Sequence, residues 1–222
     1  MPSSTEYVIL LHGLARSAKS MNKIAKALET AGYLTINVNY PSTQYPVEKL
    51  AEEVITKALA TCPKEAKINF VTHSMGDILV RQFLSNNLIK NMGRVVMLGP
   101  PNNGSQVVDK LRNMLGFKLI NGPAGLQLGT TVESVPNSLG FVNFELGIIA
   151  GTRSVNPILS LMIPKPNDGK VSVESSKVAG MSDHIELPVT HSFMMTNAVV
   201  IAQVIHFLTH GLFKKAGKLN LN

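Results

Sequence analysis

A parallel β-sheet covered by helices is the fold class this 222-residue sequence predicts, and three observations predict it. Short, uniformly apolar runs alternate with longer stretches whose apolar residues recur at helical spacing, the pattern of successive βαβ units. Hydrophobic residues make up 45% of the chain and charged ones 16%, enough to bury a core and unlike a disordered chain. The one cysteine, Cys62, can form neither an internal disulfide nor a structural zinc site, so the core must hold the fold unaided.

Tyr7–Leu11 (YVILL) is the first strand, too continuously apolar to be half exposed. Residues 17–31 carry Met21, Ile24, Ala25 and Leu28 at helical spacing, with Gly32 where a helix stop belongs. Leu34–Asn39 is a second strand, and a helix over 47–61 follows with Leu50, Val54, Ile55 and Leu59 on one face. Lys67–Thr72 is a third strand, Met75–Asn91 a helix and Arg94–Leu98 a fourth strand. Leu146–Ala150 is a fifth strand, Val178–Leu187 a sixth, and an apolar helix over about 193–210 closes the chain. With no repeat and no linker, residues 1–222 read as a single domain. Residues 105–142 break the rhythm. They are rich in Gly, Asn and Ser yet hold Leu111, Met114, Leu115, Phe117, Leu119 and Ile120. So long a connection is either a lid or binding loop, or a surface excursion with a short helix.

Lys and Arg number 21 against 14 Asp and Glu, a formal net charge of +7. The cations are scattered, with one cluster at Lys214, Lys215 and Lys218, and read as solvated surface charge. Aromatics are 5% and Trp is absent, so stacking platforms for nucleic acid are not expected. The longest apolar stretch, Ala198–Leu208, contains Gln203 and His206 and falls short of the ~20 residues of a membrane span. The opening MPSSTEYVILLHG lacks a basic n-region and a cleavage site, so it reads as a strand rather than a signal peptide, and a cytoplasmic location is expected.

Thr72-His73-Ser74-Met75-Gly76 lies where a predicted strand meets a predicted helix. It resembles the G-x-S-x-G nucleophile elbow of the α/β-hydrolases, in which small residues let the chain turn sharply and present the serine hydroxyl above the sheet. Thr72 departs from that pattern by placing a β-branched residue where the first glycine stands. His12-Gly13-Leu14 directly follows the first strand, as an HG dipeptide does in this superfamily. The segments HGLARS, YPST (Tyr40–Thr43), THSMGD, LGPPNNGS (Leu98–Ser105), NDGKVSVESS and LPVTHSFMM occur in the superfamily's order along nearly the whole chain. Together they resemble a small bacterial lipase or esterase.

That resemblance implies a minimal three-layer α/β-hydrolase fold, a roughly six-stranded parallel sheet of order 2-1-3-4-5-6 with helices on both faces. Strands 1 and 3 are then neighbours whose crossovers leave on opposite sides, and ligands bind at that switch point. Ser74 would be the nucleophile, with the Leu14 and Met75 N–H groups as the oxyanion hole and His12 structural. A serine nucleophile needs a base and an orienting carboxylate, here in the chain order Ser, acid, His. His191, between the sixth strand and the last helix, stands where the superfamily's catalytic histidine belongs, and His184 is the alternative. Asp168 in Asn167-Asp168-Gly169 resembles the acid loop, although Asn-Asp-Gly is also a good turn in its own right, and Asp183 is the reserve. Asp77 should point away from the crevice, and Asp109 falls in the excursion.

The implied chemistry is hydrolysis of small-molecule or lipid acyl esters through an acyl-serine, with no metal and no organic cofactor. An acyltransferase or amidase with the same triad, or a non-catalytic binding protein on this scaffold, are the alternatives. The apolar side chains of the 105–142 segment are expected to cover an acyl groove as a short cap, giving a shallow, open pocket suited to short- and medium-chain esters. Little activation at an oil–water interface is expected from so short a cap.

Overall fold

A computed structural model describes residues 6–215 of the chain. The first five residues of the N-terminal segment and Lys218 of the basic cluster lie outside the described residues. Fifteen regular elements follow in chain order, apart from short 3₁₀ turns at Ala18–Met21 and His191–Thr196. They begin β1 (Glu6–Leu11), α1 (Asn22–Thr30), β2 (Leu34–Val38), α2 (Val47–Ala60), β3 (Lys67–His73), α3 (Met75–Asn86) and β4 (Met92–Leu98). Three short helices follow: α4 (Gln106–Leu111), α5 (Phe117–Leu126, interrupted at Gly122-Pro123) and α6 (Val135–Ser138). Then come β5 (Leu146–Gly151), α7 (Pro157–Leu161), α8 (Val173–Ser176), β6 (Asp183–Leu187) and α9 (Ala198–His210).

All six strands join one parallel sheet in the expected order β2-β1-β3-β4-β5-β6. Alternate strand residues feed two separate cores, because successive side chains of a strand point to opposite faces. Ile9, Leu11, Phe70, Val95 and Met97 pack with Leu50, Ile55, Ile78 and Leu79 of α2 and α3. Val8, Leu10, Val71, Val96 and Leu98 pack on the other face with Ile24 and Leu28 of α1 and Val204 and Phe207 of α9. The crossovers after β1 and β2 therefore lie on opposite faces, which leaves a crevice at the C-terminal edge between β1 and β3.

Several boundaries differ from the sequence reading, and three of them have a visible local cause. α3 stops at Asn86 rather than Asn91, since Asn87 is extended (φ −130°, ψ 147°) and both its N–H and its side-chain amide bond the Phe83 carbonyl. β6 begins at Asp183 rather than Val178, because Gly180 (φ +90°) turns the chain before Ser182 reaches the β5 edge and bonds Leu146. The closing helix is preceded by the 3₁₀ turn His191–Thr196, and Asn197 caps it through Val199 and Val200 N–H.

Candidate active site

The residues singled out in the sequence converge on the C-terminal edge of the sheet. β3 runs into Ser74, whose backbone (φ 57°, ψ −117°) is a conformation that non-glycine residues rarely adopt. Its N–H donates to the Leu98 carbonyl at the end of β4 (3.0 Å), and its carbonyl accepts from Asp77 N–H (3.0 Å). Gly76 makes the sharp turn possible. A Cβ there would lie 2.7 Å from the Leu11 carbonyl oxygen, so α3 can pass β1 this closely only with glycine.

Ser74 Oγ lies 3.0 Å from His191 Nε2, and His191 Nδ1 lies 2.7 Å from Asp168 Oδ2. The histidine and the aspartate are both buried. With the carboxylate on Nδ1–H, the neutral ring leaves Nε2 as an acceptor toward the hydroxyl. Asp168 is itself held on every side. Its Oδ1 accepts from the Lys170 and Val171 N–H groups (2.9 and 2.8 Å), and its carbonyl accepts from His191 N–H (3.1 Å). Asn-Asp-Gly is thus a turn, and the same turn aims the carboxylate at the imidazole.

The other candidates are placed elsewhere. Asp183, at the opposite edge of the sheet, accepts from His184 and Phe213 N–H. His184 contacts Ser176 Oγ through Nε2 (3.2 Å), and Asp109 ties α4 to Thr130. His206 bonds the Leu212 carbonyl at the end of α9. His12 is buried, stacked on Tyr40 with ring centroids 4.0 Å apart and bonded to the Gly13 carbonyl. Burial lowers its pKa, so it is a neutral, structural histidine.

Leu14 follows β1 at the crevice, and Met75 opens α3. Among the described residues, neither of their N–H groups has an intramolecular hydrogen-bond partner. Both loops border a cavity of about 250 Å³ whose lining includes Ser74, His191, Leu14, Phe117, Leu128 and Val171. Of the six apolar residues noted in the 105–142 segment, only Phe117 and Ile120 reach this cavity. Met114, Leu115 and Leu119 face solvent, so the segment walls the pocket with one side and leaves the other uncovered. Two of the six residues thus stand at the cavity, and Leu111, Met114, Leu115 and Leu119 are not among its lining.

Four supporting residues escaped the sequence reading of roles. His73 donates from Nε2 to the His191 carbonyl (2.9 Å), and burial first, then the neighbouring His191, lowers its pKa well below the usual range. Tyr40 O–H donates to the His12 carbonyl, and Ser42 Oγ accepts from Ala15 N–H (3.0 Å), so the YPST segment braces the loop that carries Leu14. Gly99 lies against the Asp168–His191 pair. The departure at Thr72 has a local reason too. Its hydroxyl donates to Oδ1 of the buried Asp77, which a glycine would leave bare. Asp77 points away from the cavity, as expected, and burial raises its pKa well above the usual carboxylate range.

No group of three or more His, Cys, Asp and Glu side chains among the described residues is arranged to hold a metal ion. Nor is any helix among them long and apolar enough to cross a membrane.

Solved structures with the same architecture include the Bacillus licheniformis lipase BlEst2 in mature form. That match has TM-score 0.70, 17% identity, and covers 94% of this chain and 93% of that one. Phospholipase PlaB from Legionella pneumophila matches at TM-score 0.70 and 15% identity over 92% of this chain and 60% of its own. The metagenomic carboxyl esterase MGS0156 matches at TM-score 0.67 and 17% identity, covering 86% and 66%. At such identities the likeness establishes the α/β-hydrolase fold. No curated protein sequence matches the chain. A family model described as "Putative serine esterase (DUF676)" matches residues 2–172, a span that includes Ser74 and Asp168. The chain therefore belongs to the DUF676 serine esterase family and is a serine hydrolase of the α/β-hydrolase fold.

Proposed function

We propose that the protein hydrolyses carboxylic esters through Ser74, His191 and Asp168. The observation that carries this reading is the unbroken line from Ser74 Oγ to His191 Nε2 (3.0 Å) and from His191 Nδ1 to Asp168 Oδ2 (2.7 Å) at the floor of an apolar cavity. His191 takes the hydroxyl proton as Ser74 attacks the ester carbonyl, and Asp168 holds the tautomer and stabilises the imidazolium. The Leu14 and Met75 N–H groups receive the oxyanion, each worth about 3–4 kcal/mol in comparable sites. His191 then protonates the departing alcohol, and water, deprotonated by the same ring, releases the acid from the acyl-serine. His73 is a positioning residue, because it holds the His191 backbone rather than the reacting atoms.

Residues 105–142 serve as a short cap in this reading, with Phe117 and Ile120 as its acyl-facing wall. A cavity of about 250 Å³ lies below the ~300–1,000 Å³ of drug-sized sites, which favours short acyl chains. The decisive experiment joins a fluorophosphonate probe to ester assays. Wild type should be labelled and should turn over p-nitrophenyl butyrate. Ser74→Ala should fold, resist labelling and lose at least about a thousandfold in kcat. Wild-type turnover in that variant would end the reading. Release of free acid with water as the sole acceptor marks a hydrolase, whereas turnover that requires an added alcohol or amine acceptor would mark an acyltransferase.

A further inference from the structure

The mouth of the cavity carries charge of one sign. Arg16 and Lys170 line it, no Asp or Glu does, and its other named walls are mostly apolar, among them Leu14, Val108, Phe117 and Leu128. The two cations stand on separate loops. Arg16 follows β1 and Lys170 lies beyond β5, strands on either side of the β3 that runs into Ser74. Both residues are exposed, and among the described residues neither forms an ion pair or a side-chain hydrogen bond. Their attachment points are nonetheless fixed. Lys170 N–H is bonded to Asp168 Oδ1 and its carbonyl to Ser105 Oγ, while Ala15 N–H is bonded to Ser42 Oγ one residue before Arg16.

The pair lies within mutual electrostatic reach. The protein around the Lys170 ammonium, and then the Arg16 charge, draw it below the ordinary lysine range, with Asp168 opposing. Both cations also reach His73 at the cavity wall. Asp168 is committed as a hydrogen-bond acceptor to His191 and two backbone N–H groups, and its charge offsets part of that of Lys170, which leaves the two cations a net positive charge at the mouth. Two like charges brought together over a low-dielectric cleft raise the local concentration of anions and lower their cost of entry.

We infer that Arg16 and Lys170 are specificity-determining residues that select esters bearing an anionic oxygen group, carboxylate or phosphate, beside the scissile bond. The inference rests on the esterase reading and adds the substrate class to it. The acyl chain occupies the apolar cavity past Phe117, the carbonyl sits on Ser74, and the anionic group of the alcohol part stays at the mouth between the two cations. Arg16 offers a planar fork suited to two oxygens, and Lys170 a point charge.

The test compares matched substrates. 4-Butyryloxyphenylacetate and its neutral acetamide analogue differ in charge several bonds from the phenol, so leaving-group acidity is nearly constant. Dihexanoyl phosphatidylglycerol against 1,2-dihexanoylglycerol, which lacks the phosphate, both as monomers, asks whether the anion can be a lipid headgroup. Wild type should prefer the anionic member of a pair by about tenfold in kcat/KM at low salt, with the preference collapsing toward unity at about 0.5 M NaCl. Arg16→Gln/Lys170→Gln should bring that ratio close to one. A preference for the aryl carboxylate alone would assign the site to small soluble acids, and for the phospholipid as well, to headgroups. A ratio of one in wild type with the neutral ester turned over would overturn the inference and leave the esterase reading intact. Calorimetric titration with n-butylphosphonate reads the same pair without turnover. Binding to wild type that weakens about tenfold in the double variant supports the inference, and equal binding overturns it.

Discussion

Gly99 is the residue on which the alignment of the relay most depends outside the triad itself. It opens the loop after β4 with φ +59°, where a Cβ would stand 2.9 Å from Asp168 Oδ2 and 3.1 Å from His191 Nδ1. The left-handed backbone and the crowding act together in Gly99→Ala. The backbone alone costs about 1–2 kcal/mol, equivalent to roughly 2–8 °C in Tm for a domain of this size. The methyl group pushes the carboxylate and the imidazole apart, and displacement on the scale of 1 Å costs about a hundredfold in rate. The expected outcome is a modest loss of Tm with a loss of about a hundredfold in kcat on p-nitrophenyl butyrate. A variant that melts lower yet keeps its kcat would show that the pair is held by the Asp168 turn alone.

Among the elements, α5 decides what the pocket accepts. Its two sides differ: Phe117 and Ile120 wall the cavity, and Leu119, 90% exposed, does not touch it. Removing the ring should deepen the apolar space, so Phe117→Ala is expected to move the optimum of a p-nitrophenyl ester series toward longer chains by about two to four carbons. Leu119→Asn should leave turnover of the dissolved butyrate ester within about twofold. An unaltered chain-length profile in Phe117→Ala would remove α5 from the acyl site. A large loss in Leu119→Asn would mean that α5 rearranges when substrate binds. The three solvent-facing side chains Met114, Leu115 and Leu119 also make the expectation of little interfacial activation one to measure, by running the same series across substrate solubility.

Acid sensitivity belongs to the molecule as a whole. Burial lowers the pKa of His12, His73 and His184 in the folded protein. In the unfolded chain a histidine titrates near 6.5. Above that value both states are neutral, and the native state keeps its full stability. As the pH falls through it, the unfolded chain takes up protons that the native state refuses, so stability drops toward the lower native pKa. A fully buried histidine such as His73 removes up to about 1.4 kcal/mol per pH unit in that window, and the partly exposed His184 less. Asp77, with its raised pKa, works in the other direction, being favoured as acid protonates it. The histidine part is isolated by His73→Gln, whose side-chain amide can still donate to the His191 carbonyl. Wild-type Tm should fall more steeply than the variant's between about pH 6.5 and 5, and parallel slopes would show that His73 takes up its proton in the folded state.

The sequence by itself determined the sheet and the point of attack. The continuous apolar run YVILL in Tyr7–Leu11 reads as an interior parallel strand, and Thr72–Gly76 reads as the turn between a strand and a helix. Local chemistry of that kind survives any tertiary context. The same holds for the Asn-Asp-Gly turn, which was legible as a turn before its second use could be seen. What tertiary structure decided is which of several equivalent side chains face one another. Asp168 and Asp183 differ little as residues, and only the β5–β6 pairing puts one at the crevice and the other at the far edge. The bracing by Tyr40, Ser42, His73 and Gly99, and the meeting of Arg16 with Lys170, join residues tens to more than a hundred positions apart. Periodicity reports which face of an element is apolar. It carries no information on which loops a parallel sheet gathers at one edge, because that depends on strand order and crossover side, and these are set by packing across the whole chain.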